Sequence, residues 1–217
     1  LLYSLSRIHY LNIGHQNIND NSILVSSFIK PDEIKVKYTD FGLGCYETNN
    51  RPLVSLTDYE KHKTQEKTNS GMVRCKDSMN VPVDIDENIM AKLTNRDYLD
   101  IIQKYDVFCL GVLCLKLLLW FDNKITHSGA YSKGYNKNFI RDIKKGIIKQ
   151  YLDKKNSENK YKTVFPELDV SDKVKRDILE YLEILDKYVF VPTKDRKTCQ
   201  YVLDKIIIYE KYKNDIF

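Results

Sequence analysis

The sequence predicts an α+β chain that is mostly helical, with a short β-hairpin pair near its N-terminus. Three observations predict it. Two short apolar runs, Ile23-Leu24-Val25 and the alternating Ile34, Val36 and Tyr38, flank a polar turn at Ser26–Glu33 that contains Pro31-Asp32. Later stretches repeat apolar residues at helical spacing, over Val107–Phe121, Asn138–Leu152, Ser171–Tyr188 and Thr198–Tyr212. The second strand run ends on Tyr38-Thr39-Asp40-Phe41-Gly42, so a strand delivers an acid and a glycine to its own mouth. With 217 residues and 42% apolar content, the chain can bury one real core, and residues 1–217 are read as a single domain.

Charge and cysteine usage bound the function. The 35 basic and 30 acidic residues leave a net charge of only +5, a mixed surface that does not call for nucleic acid. The five cysteines (Cys45, Cys75, Cys109, Cys114, Cys199) are odd in number and form no C-x-x-C pair. Cys109 and Cys114 fall in an apolar run and read as buried thiols, which points to a reducing, cytoplasmic compartment. No signal peptide is visible. The longest apolar run, Val107–Phe121, carries Lys116 and falls short of the roughly 18 residues of a spanning helix, so no membrane partner is expected.

In chain order, Leu1, Leu5 and Ile8 share a helical face, His9 reads as a packed or capping histidine, and Asn12-Ile13-Gly14 as the connecting turn. A polar loop from His15 precedes the first strand. From Gly44 to Asn80 the chain is rich in Asn, Thr, Ser, Lys and Glu, with no sustained apolar period. Glu87–Asp100 reads as short helical or irregular structure. Asp106 opens the buried helix, where unpaired amides and the helix dipole favour an acid, and Gly111 lets another element approach closely. In Asn138–Leu152, Phe139, Ile140, Ile143, Ile147 and Tyr151 form an apolar face opposite a lysine face. Ser171 caps the next helix, with Val174, Ile178, Leu182 and Leu185 inward. The last helix turns Val202, Ile206 and Tyr209 inward.

Four of these stretches, taken together and in order, resemble the C-terminal lobe of the protein kinases. The run His15-Gln16-Asn17-Ile18-Asn19-Asp20-Asn21-Ser22 lies on the catalytic-loop pattern H-R-D-x-K-x-x-N, with Ile18, Ile23 and Leu24 matching its apolar frame. Asp40-Phe41-Gly42 matches the Asp-Phe-Gly motif. Asp106-Val107-Phe108-Cys109-Leu110-Gly111 is similar to the motif that starts the family's most buried helix. Arg196-Lys197-Thr198 resembles the Arg-x-Thr turn before the last helix. Neither a Gly-rich loop nor a strand lysine occurs in the chain, so the resemblance covers that lobe alone. It makes residues 43–104 a long activation-segment-like region, with Val81-Pro82-Val83-Asp84 a worn form of its closing motif.

The resemblance implies specific roles. His15 and Asp106 are structural, with the Asp106 carboxylate reaching the His15–Gln16 backbone, and Arg196 is buried against an acid, Glu87 or Asp84. Asn17 stands at the catalytic Asp position, where an amide cannot act as a base, and the loss of a base costs on the order of 10²–10⁴ in rate. Asn19 stands at the position of a phosphate-neutralising Lys. Asp40, aided by Ser22, is the metal and nucleotide position, for weakly held Mg and ATP at most. The implied function is a pseudokinase acting as a protein-binding module. The alternatives are part of a serine/threonine kinase with residual ATP- and Mg-dependent phosphoryl transfer, and nucleic-acid binding through the basic stretch 138–162. The sequence does not specify the protein partner.

Overall fold

A computed structural model of the chain describes residues 1–26, 35–41, 44–46, 93–118, 145, 148, 149, 152 and 171–212. Among them the fold is mixed α/β and mostly helical. It has helices α1 (Leu2–Tyr10), α2 (Asn95–Leu118), α3 (Asp172–Tyr188) and α4 (Cys199–Tyr212) and short strands β1 (Ile13–Gly14), β2 (Ile23–Val25), β3 (Val36–Tyr38) and β4 (Cys45–Tyr46). Two antiparallel pairings join the strands. β2 meets β3 with Ile23 opposite Tyr38 and Val25 opposite Val36, and β1 meets β4 with Gly14 opposite Cys45. Among the described residues, no helix is long and apolar enough to cross a membrane.

The hairpin of β2 and β3 follows from the alternating apolar runs. The second pairing does not, and it corrects the expected turn: only Asn12, at φ 57°, reverses the chain, while Ile13 and Gly14 already run as strand. Gly14 lies so close to α2 that an added Cβ would sit 2.5 Å from the Ile102 side chain. A side chain there would push β1 off the helix.

Helix α2 is the axis of the fold. Tyr105, Val107, Phe108, Cys109, Leu110, Val112, Leu113 and Leu115 are buried, so the helix is enclosed on all sides over this stretch. Its start lies well before Asp106. Thr94 caps it, with Oγ1 accepting from the Asp97 amide at 3.2 Å and donating to the Asp97 carboxylate at 2.6 Å. Asp106 is thus about three turns into the helix, and the dipole argument for its position fails. Gly111 makes the expected close approach: a Cβ there would meet Val189 Cγ1 at 2.5 Å, with the Phe190 ring next to it. Phe190 packs edge-on against Phe108, with ring centroids 5.7 Å apart.

Helices α1, α3 and α4 cover α2. In α3 Ile178, Leu182 and Leu185 turn inward together with Leu179, whereas Val174 is exposed, because it lies in the first turn behind the Ser171 cap. Ile148 is fully buried in the same core while Lys149 is exposed. The face expected for 138–152 (Phe139, Ile140, Ile143, Ile147, Tyr151) lies outside the described residues. In α4 Val202 is buried and Ile206 packs at the core's edge. Cys109 is a buried thiol. Burial pushes Cys114 up to about 11 and Cys199 up to about 12, so both remain protonated and packed.

The turn between α3 and α4 is locked by Arg196, which is 2% exposed. Its Nε donates to the Val189 carbonyl and Nη2 to that of Val191, both at 2.8 Å, and Nη1 reaches Thr193 Oγ1 at 3.2 Å. The guanidinium stacks 4.8 Å above the Phe108 ring and reaches the Lys104 carbonyl at 3.4 Å, so it ties the turn to α2. These contacts are with carbonyls, a hydroxyl and a ring. The acids expected beside it, Glu87 and Asp84, lie outside the described residues, as does most of 43–104.

Candidate functional site

The loop from His15 to Ser22 leaves β1 and enters β2, and α2 holds it from below. Asp106 is wholly buried and accepts three hydrogen bonds: from the His15 amide at 2.6 Å, the Gln16 amide at 2.8 Å and His9 Nε2 at 3.2 Å. Gln16 sits at φ 62°, a left-handed conformation that lets two successive amides converge on one carboxylate. One helical turn earlier, Gln103 Nε2 donates to the carbonyls of His9 at 3.0 Å and Ile13 at 3.2 Å. Farther along, Lys116 pairs with Asp20 at 3.3 Å. Sequence reasoning missed Gln103. The available signal was a polar residue three positions before Asp106, on the same face of the helix.

His15 joins the loop to the end of β3. Its ring lies against Phe41, centroids 4.3 Å apart, with Tyr38 at its edge. Nε2 lies 2.9 Å from the Thr39 carbonyl, and Nδ1 accepts from the Asn17 amide at 3.3 Å. A carbonyl only accepts, so the proton is on Nε2 and the imidazole is neutral. Burial holds the His15 pKa below its ordinary value, against the opposing pull of Asp106.

At the tip, three side-chain amides and carboxylates run in one direction. Asn17 Nδ2 donates to Asp40 Oδ2 at 2.6 Å, Asn19 Nδ2 donates to Asn17 Oδ1 at 2.9 Å, and the Asn21 backbone amide donates to Asn19 Oδ1 at 2.8 Å. Asp40 is exposed and sits at φ 61°, which turns its carboxylate towards the loop. The geometry brings together Asn17, Asn19 and Asp40. Ser22 differs. It is fully buried, and its Oγ accepts from the Asn19 amide at 2.8 Å and donates to the Asn19 carbonyl at 2.9 Å, closing a capping box around the 3₁₀ turn Asp20–Ser22.

This arrangement does not fit the expected magnesium ion. Magnesium takes oxygen ligands in near-ideal octahedral geometry. Here Asp40 Oδ2 faces an N–H donor, Asn17 Oδ1 is occupied by Asn19, and the Ser22 hydroxyl is spent on backbone. Among the described residues, no group of three or more His, Cys, Asp or Glu is placed to hold a metal ion. A separate cleft of about 450 Å³ is lined by Leu93, Asp97, Ile101, Lys104, Pro192 and Lys194, not by Asp40 or Asn17. No protein family, curated protein or solved structure matches the chain.

Proposed function

We propose that the chain is a non-catalytic, protein-kinase-like lobe that acts by binding another protein. The observation that carries the reading is the Asn17 amide lying against Asp40 at 2.6 Å, at the place where the family's pattern has a carboxylate base. An amide does not titrate near neutrality and cannot accept a substrate proton. Support for the kinase-like register comes from Asp106, whose carboxylate takes the His15 and Gln16 amides as that register expects. Phosphoryl transfer depends on positioning and electrostatics. The loop has neither the base nor the lysine of that pattern, and the Ser22 hydroxyl is spent on the Asn19 backbone. What such a lobe retains is a rigid, hydrogen-bonded surface for a partner to read.

The test is phosphate transfer from labelled ATP with magnesium to a generic protein substrate, beside an Asp40→Ala control. No incorporation above background is expected. Incorporation that disappears in the control overturns the proposal in favour of a serine/threonine kinase with residual activity. Nucleic-acid binding through 138–162 rests on a stretch lying largely outside the described residues. It would instead show as steeply salt-dependent affinity for DNA or RNA.

A further inference from the structure

We infer that the side-chain amide of Asn17 takes the place of a cation at Asp40, so that the loop from His15 to Ser22 keeps its arrangement without any divalent metal. The inference rests on hydrogen-bond direction, and the cation it speaks of is the one that the kinase-like reading of Asp40 implies.

The direction of the network is fixed at one end by backbone. The Asn21 N–H can only donate, so the Asn19 oxygen must face it and the Asn19 NH₂ must face Asn17. The oxygen of Asn17 therefore faces Asn19, and its NH₂ faces Asp40. Reversing Asn17 would set its oxygen against the Asp40 carboxylate and its NH₂ against the NH₂ of Asn19. That gives two repulsive contacts in place of two hydrogen bonds. The same atoms thus cannot swing round to offer Asn17 Oδ1 to a metal at Asp40 without giving up the hydrogen bond from Asn19 Nδ2. Each amide also polarises the next towards the carboxylate. A cation at Asp40 Oδ2 would have to displace an N–H donor already 2.6 Å away.

The converse follows for an acid at position 17. Two carboxylates at this separation repel, and a divalent cation between them relieves the repulsion. Asn17→Asp should therefore make the loop metal-dependent where the wild type is not.

The experiment uses the full chain with magnesium or manganese salts as the only probes. Wild type is expected to melt at the same temperature in EDTA and in millimolar magnesium, and the Asn17 side-chain NH₂ resonances should stay in place through the titration. Asn17→Asp is expected to melt about 2–8 °C lower in EDTA and to recover with either metal. The inference is overturned if magnesium raises the wild-type Tm and Asp40→Asn abolishes that gain. It is equally overturned if the Asn17 NH₂ signals move as magnesium is added, or if a folded Asn17→Asp melts identically with and without metal. Should Asn17→Asp fail to fold, the wild-type resonances decide alone.

Discussion

At its base the loop is gripped by Asp106, which is buried and takes donors from His15, Gln16 and His9. At its tip the loop meets Asp40, which is exposed and takes a side-chain donor from Asn17. Water cannot reach the first carboxylate, so protein donors must supply its solvation, and losing the acid would leave those donors buried without an acceptor. Water can complete the second, so its partner can change without unfolding the chain. Asn17 and Asn19, two of the positions at which the loop departs from the catalytic-loop pattern it resembles, lie at the tip.

The largest expected effect comes from breaking the base. Asp106→Ala strands the His15 and Gln16 amides and should cost roughly 2–6 kcal/mol, at about 1–3 kcal/mol for each buried donor left unpaired. Chemical denaturation measures it, and an unchanged midpoint would show that the grip does not hold the loop.

Acid sharpens the contrast next. The His15 pKa is lowered by burial, so below about pH 6.5 the unfolded chain takes up a proton that the folded chain refuses. Stability should fall as pH drops through that value, by up to about 1.4 kcal/mol per unit, and level off below the folded pKa. His15→Gln should flatten that part of the profile. A wild-type profile flat between pH 7 and 5 would contradict the neutral, buried imidazole.

The smallest effect belongs to the tip. Asn17→Ala removes the hydrogen bond to a solvated carboxylate and the one accepted from Asn19, and should cost about 1–2 kcal/mol. A loss as large as that of Asp106→Ala would erase the distinction between the two carboxylates.

How much of this could be read beforehand varied with the signal. The β2–β3 hairpin was legible because one short apolar run and one alternating run flank a polar turn, whereas the reach of Asp106 to the loop backbone came from the resemblance alone, the residue-level reading putting it at a helix start rather than inside α2. The start of α2 was not legible. Thr94 caps the helix through Asp97 inside a polar stretch, and no apolar period begins until Tyr98 and Leu99 enter the small cluster around Cys45. The pairing of β1 with β4 involves two residues a side, too few to show any period. The amide network was invisible for a different reason. Asn17, Asn19 and Asn21 are three polar residues in a loop, and only the fold decides which of their atoms face one another.

The grip of Asp106 on Gln16 spans 90 residues of chain. Closing so long a loop from the unfolded state carries an entropy cost that grows only with the logarithm of its length, and doubling the loop adds about 0.6 kcal/mol. That is less than a single buried hydrogen bond is worth when its partner is removed. Extra residues inserted between the described elements of that stretch therefore cost little while the same two amides still find the same carboxylate. The site's geometry is insulated from the length of the chain that connects its halves.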